Sequence, residues 1–248
     1  MRRPAGVVPV VCALVLGGAC GEVRLVDPKV TGVPVAGAYV EVGVQARGDD
    51  SRLVFQGHVF GYEARGASRL VRYLDAGRIV VGGRVAERRF VRLGEPVYRL
   101  DAVVDGELPA TAVRIGGSEV VPACALDVPV PAAGSPADGD VVPRGEDLAV
   151  PVAALPDTLG PADRVLASVE AVDAAGRWYR TDISPGRAVG GALVVPESFL
   201  HRLPPGTAEL TLRIVWERST PAGVGGPPCA PALFARAWYE HRVVVRVE

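Results

Sequence analysis

Residues 208–216 read Ala-Glu-Leu-Thr-Leu-Arg-Ile-Val-Trp, with Leu210, Leu212, Ile214 and Trp216 at alternate positions. A period of two places those four side chains on one face of an extended chain, so the stretch predicts a half-buried β-strand. The same rhythm recurs at 39–45, where Val40, Val42 and Val44 alternate. Further strands are predicted at 52–62, 69–74, 85–93, 97–104, 110–115, 148–155, 165–172, 192–195 and 236–247. Turn pairs such as Asp105-Gly106, Asp138-Gly139 and Pro205-Gly206 separate many of them. One short helix is predicted at 197–203, stopped by Pro204-Pro205. Many short strands at such intervals predict an all-β chain built as antiparallel sandwiches.

Val128-Pro129-Val130-Pro131-Ala132-Ala133-Gly134-Ser135-Pro136 is rich in proline and small residues and cannot sustain a helix or a central strand. The expectation is two β-sandwich domains in tandem, at 34–127 and 137–248, with a linker at 128–136. The second half opens on Ser135-Pro136-Ala137-Asp138-Gly139-Asp140, continues with a strand at 148–152 and closes on a long alternating strand ending at Val247. In this it resembles immunoglobulin-like and fibronectin-type-III-like modules of bacterial surface proteins, a superfamily whose fold alone implies no single function.

At the N-terminus, Met1-Arg2-Arg3 precedes an apolar run from Ala5 to Leu16 and the small residues Gly17, Gly18 and Ala19. That is the order of a signal peptide over residues 1–19. The run is shorter than the roughly 18 apolar residues of a spanning helix. Leu16-Gly17-Gly18-Ala19-Cys20 resembles the lipobox of bacterial lipoproteins, with Gly17 where the large aliphatic residue usually stands. The resemblance implies a diacylglyceryl group on Cys20, a tether over 20–33, and a place in the cell envelope, at the outer membrane if the organism has one. Small residues at 17 and 19 equally suit an ordinary signal peptidase, which would leave a periplasmic or secreted protein. With Cys12 discarded and Cys20 lipidated, Cys124 and Cys229 remain as a pair for a disulfide in an oxidising compartment, or as two thiols. Loss of Met1–Ala19 leaves a net charge of −3, which argues against nucleic acid as a partner.

No catalytic signature stands out. His58, His201 and His241 are isolated in sequence, and there is no Cys-x-x-Cys, nucleophile elbow, phosphate loop or dinucleotide glycine pattern. No metal or cofactor is expected. Asp138, Asp140, Glu146 and Asp147 cluster near a turn, where they read as turn acids or, less simply, as hard ligands for calcium. Arg47-Gly48-Asp49 reads as a hairpin turn. Arg65, Arg69, Arg72, Arg78, Arg84, Arg88, Arg89 and Arg92 face only Asp75 and Glu87 within their stretch, a local balance of +6. Guanidinium forks suit carboxylate and phosphate, so this patch is the sequence's anionic-ligand candidate, against the reading of outward arginines on solvated strands. Trp178, Trp216 and Trp238 all fall in the second half and read as core residues or as platforms for sugars. These features predict a non-catalytic envelope lipoprotein that binds an envelope protein or polymer. A carbohydrate- or anionic-glycan-binding module, and a secreted enzyme of unfamiliar type, stand as alternatives.

Overall fold

The computed structural model describes residues 32–47, 50–65, 68–90, 95–104, 112–153, 161–183, 192–220 and 230–248. Among them the chain is all-β apart from one four-residue helix, α1 (Glu197–Leu200). Ten strands form a single mixed sheet. Its centre holds β1 (Val35–Arg47), β2 (Asp50–Arg65), β16 (Gly206–Thr220) and β17 (Ala232–Val247). Outside these lie β13 (Asp163–Asp173) and β14 (Trp178–Ile183) on one side, and β7 (Pro96–Val104) and β6 (Glu87–Phe90) on the other. The order is β14-β13-β16-β17-β1-β2-β7-β6. Beyond β7, β3 (Ser68–Leu74) takes up the same edge of β2, and β11 (Val141–Val142) continues the line of β1 along β17.

Two smaller sheets complete the core. One runs β5 (Arg84–Val85), β4 (Ile79–Val81), β8 (Ala112–Ile115), β9 (Cys124–Asp127); the other runs β10 (Ala132–Ala133), β12 (Leu148–Ala153), β15 (Ala192–Val195). Val81, Val113 and Leu126 of the first and Ala133, Val150 and Leu193 of the second belong to one hydrophobic core with Val42, Leu53, Leu212 and Val243 of the large sheet. Alternation in the sequence selects these residues: Val40, Val42 and Val44 point inward from β1, and Leu210, Leu212, Ile214 and Trp216 from β16.

Two pairings, both with β17, depart from the antiparallel expectation: β11 runs parallel to it over two residues, and β1 over a long ladder. β1 and β17 run parallel over eleven register pairs, from Gly37 opposite Ala232 to Arg47 opposite Arg242. A parallel pair needs a long crossover, and here almost the whole chain supplies it. The first and second halves therefore share one sheet. The proline-rich stretch at 128–136 is likewise packed: Val128 and Val130 are buried, and Ala132–Ala133 form β10 at a sheet edge. The Tyr239 hydroxyl donates to Ala133 O at 2.7 Å and His241 Nε2 donates to Pro136 O at 2.8 Å, which ties the stretch to β17. Proline bars it from a central strand but suits an edge.

Two local expectations also change. The strand predicted at 85–93 divides at Ala86, which is buried and donates its N–H to Ile79 O at 2.9 Å. Before it β5 belongs to the small sheet, and after it β6 belongs to the large one. The helix predicted at 197–203 ends at Leu200, its first free amide, Glu197 N, donating to Asp147 Oδ1 at 2.7 Å.

On β1, glycine is required where neighbouring rings lie across the strand. A methyl on Gly43 would overlap the Trp238 ring, which β17 folds over it. Gly43→Ala is expected to cost about 1–3 kcal/mol through overpacking. Urea unfolding followed by tryptophan emission measures it; an unchanged midpoint would mean that Trp238 moves aside freely.

Candidate binding face

The inner face of the large sheet is covered by the core, and its other face is open among the described residues. Strand registers fix which side chains share that face. Arg236 of β17 stands between Glu217 of β16 and Glu41 of β1, followed by Gln56 and Arg99. The next row carries Leu166, Val215, Trp238, Gly43, Val54 and Asp101. After it come Ser168, Arg213, Glu240, Gln45, Arg52 and Val103.

Near the start of β1 the face is aromatic. Phe234, Tyr39, His58 and Tyr73 stack across β17, β1, β2 and β3, with ring centroids 5.4, 5.2 and 4.3 Å apart and planes within 23° of parallel. Phe60 tilts against His58 and meets Tyr62 edge-on. Burial among these rings lowers His58 from its ordinary value to about 4, because the imidazolium loses hydration there. Tyr39 is pushed up to about 12, first by burial and then by its hydrogen bond to Glu41. The rings spend their faces on one another, so what reaches solvent is chiefly their edges. This differs from the flat, separate platforms that stack on sugars.

A groove of about 530 Å³ crosses β13, β14, β16 and β17 on the same face. Leu166 and Val215 form its apolar floor, with Ser168, Arg180, Arg213 and Arg236 around it. Arg180 is held by Glu170 and Asp182, each at 3.3 Å, and Arg236 by Glu217 at 3.3 Å. Arg213 makes no ion pair among the described residues. Its cross-strand neighbour Glu240 pairs instead with Arg242 at 3.5 Å, and the Arg213 guanidinium lies 5.7 Å from the centre of the Trp238 ring. Arg236 Nε is buried without a hydrogen bond. The groove thus holds one guanidinium, that of Arg213, without a carboxylate, while Arg236 Nε stays 3.3 Å from Glu217.

The arginine cluster read from sequence does not form one such surface. Arg69 and Arg72 sit on β3, Arg78 and Arg84 flank β4, and Arg88 and Arg89 lie on β6, which distributes them over two sheets. Arg72 is buried and paired with Glu63 at 2.6 Å and Glu95 at 3.7 Å. Arg88 binds Asp75 at 2.7 Å, and Arg89 binds Glu87 at 2.8 Å. Asp75 also accepts from the Tyr98 hydroxyl at 2.7 Å, so Arg88 belongs to a clamp at the crossing between sheets. Arg69, Arg78 and Arg84 keep free heads among the described residues. Arg92 lies outside the described residues, and of Arg65 only the backbone pairing with Ser68 is described.

The acids near 138–147 are spent on the backbone. Asp138 accepts from Val244 N at 2.7 Å, Asp140 from Ala137 N at 2.8 Å, and Asp147 from Glu197 N, while Glu146 is exposed. Among the described residues no group of three metal-ligating side chains occurs. Trp216 is fully buried and Trp238 nearly so, which leaves Trp178, 59 % exposed on β14, as the one tryptophan open to a sugar. His241 is buried against Tyr239 and Pro136, and His201 is exposed at the end of α1. Arg47 and Asp50 pair across the β1–β2 turn, with Gly48 and Asp49 outside the described residues. Cys124 is partly buried against the core and is not free, and Cys20 and Cys229 lie outside the described residues. Among the described residues no helix is long and apolar enough to cross a membrane.

No family model matches the chain, and no curated protein matches it.

A neutral His58 is favoured by the fold, so stability is whole above the unfolded value near 6.5 and falls as pH drops through the window from 6.5 to about 4. His58→Phe keeps a ring in the stack and removes the titration. Between pH 7 and pH 4.5 the native sequence is expected to lose on the order of 1–2 kcal/mol more than this variant, an amount reduced by the partial exposure of the ring. Denaturant unfolding at the two pH values measures the difference, and parallel losses would remove His58 as the cause.

Proposed function

We propose that the protein is a non-catalytic module of the cell envelope, held by a lipid on Cys20, that binds an anionic protein segment or polymer across the open face of its large sheet. The observation that carries this reading is the groove around Arg213, where a guanidinium lacks a carboxylate beside an apolar floor. Carboxylate or phosphate groups of a ligand complete such a site. The non-catalytic part is supported by where the ionisable groups go: the three histidines lie in the ring stack, in the core and at the end of α1, away from the groove. The ring stack argues against sugar stacking there, so an acidic glycan is read as a ligand through its charge.

The finer fold reading belongs here too. Each half has two layers: β4, β5, β8 and β9 over the first half of the large sheet, and β10, β12 and β15 over the second. That supports an immunoglobulin-like sandwich in each half, fused along β1 and β17.

Two experiments test the proposal. Titration with polygalacturonate, against neutral dextran as control, is expected to show salt-sensitive binding that Arg213→Glu weakens about tenfold, since charge-assisted contacts of this kind contribute roughly 1.5–3 kcal/mol. Equal affinity in the variant would remove the groove from the binding site. For the anchor, the intact mass of the native protein is expected to match residues 20–248 plus acyl chains and to rise by about two hydrogens on reduction, as a Cys124–Cys229 bridge requires. An unacylated mass would send the search to periplasmic or secreted partners, and a mass unchanged by reduction would exclude the bridge.

A further inference from the structure

The β2–β3 hairpin carries an exposed apolar surface that the groove does not use. Tyr62 and Val71 are cross-strand partners, each 44 % exposed, while Leu70, opposite Glu63, turns to the other face of the hairpin. Phe60 and Tyr73 back Tyr62 and Val71 on the same face. Arg69 flanks the patch and makes no ion pair among the described residues, whereas Arg72, on the inner side, is neutralised by Glu63 and Glu95. By sequence the segment 60–73 holds three arginines and one glutamate. A tyrosine with an aliphatic neighbour and a free arginine is the composition of a surface that rests at a lipid headgroup layer, where rings sit in the interface and guanidinium groups meet phosphate.

The position of the described chain fits the same occupant. Val33 is buried and Pro34 O lies against Gly61, so the first described residues pack on the base of this hairpin, and Val35 pairs with Gly61. Eleven residues separate Cys20 from Gly32. Fully extended they reach about 40 Å, so a lipid on Cys20 keeps this end of the sheet, with its hairpin, within reach of the bilayer.

We propose that the β2–β3 hairpin, through Tyr62, Val71 and Arg69, seats on an anionic phospholipid bilayer and orients the sheet relative to it. The inference extends the envelope reading, yet its test does not depend on the lipid. The mature chain from residue 20, with Cys20→Ser so that it carries no acyl group, is sedimented with vesicles of phosphatidylglycerol and phosphatidylethanolamine and, separately, of phosphatidylcholine alone. Binding is expected with the anionic vesicles and at least fivefold less with phosphatidylcholine. Arg69→Glu is expected to lower binding about fivefold or more, the effect of one arginine near an anionic surface. Tyr62→Ser with Val71→Ser is expected to lower it further, while Trp178→Ser, on the far edge of the sheet, leaves it unchanged. As a second readout, Tyr62→Trp is expected to gain a blue-shifted emission component that brominated acyl chains quench. Absence of binding to anionic vesicles, or equal binding by the hairpin variants, would overturn the proposal. So would a concentration-dependent dimer that Tyr62→Ser with Val71→Ser abolishes while vesicles stay unbound, because the patch would then belong to a second copy of the chain. Failure of acylation in the intact mass bears on the anchor alone.

Discussion

The parallel ladder between β1 and β17 joins the beginning of the described chain to its end, and the remaining architecture hangs on it. Antiparallel neighbours close locally: β1 turns straight into β2, and β16 and β17 pair over fifteen register positions. The parallel contact must wait for almost the whole chain to be in place, since its partners are nearly 200 residues apart in sequence. Its consequence is that neither half owns a complete sheet. Without β17, the backbone of β1 would present an unpaired edge beside a row of buried valines, an arrangement that invites pairing with other chains. Trp238 and Gly43 reinforce the seam, one supplying a ring and the other the room for it.

The same seam decides what the outer face can offer. Along most rows, charges meet their opposites: Arg52 binds Asp101, Arg236 lies near Glu217 and Glu41, and Arg242 lies near Glu209 and Glu240. Such exposed pairs contribute little to stability individually, about 0–1 kcal/mol, but they silence the field of the face. Against that background an unpaired guanidinium set over the apolar floor of the groove counts. Arg213 has lost Glu240 to Arg242 and lies over a ring, where it is held without being neutralised. A run of like charges in sequence is a poorer guide. Of the six arginines whose side chains are described between 69 and 89, Arg72 and Arg88 serve ion pairs that fasten separate segments together, and Arg89 pairs with Glu87 on its own strand.

Alternation made the strands legible, because burial on one face is a local property of the chain. It identified the inward rows of β1 and β16 and the all-β class. It could not say which strand lies beside which, nor that β1 and β17 run parallel, because no local signal encodes a neighbour 195 residues away. The split at Ala86 was hidden for a related reason: an apolar residue in an extended run reads the same whether the strand continues or crosses to another sheet. The ring stack drew no attention because Tyr39, His58, Tyr73 and Phe234 are scattered in sequence and share only a register. Trp178 opens β14 with its ring outward and no alternating apolar partner, so that strand carried no visible pattern.

Geometry also relates the two surfaces. From β3 at the hairpin to β13 at the groove the sheet steps through β2, β1, β17 and β16, five spacings of about 4.8 Å, or roughly 24 Å measured across the strands. Tyr62, Val71 and the groove lie on the same face of the sheet, so this separation is lateral, and beyond about two Debye lengths at physiological salt the charges of one surface are screened from the other. A continuous ten-stranded sheet keeps that spacing fixed, where two domains on a flexible linker would let it vary. The packed proline-rich stretch at 128–136 and the β1–β17 ladder remove that freedom, so the feature that fuses the halves is also the one that keeps their surfaces apart.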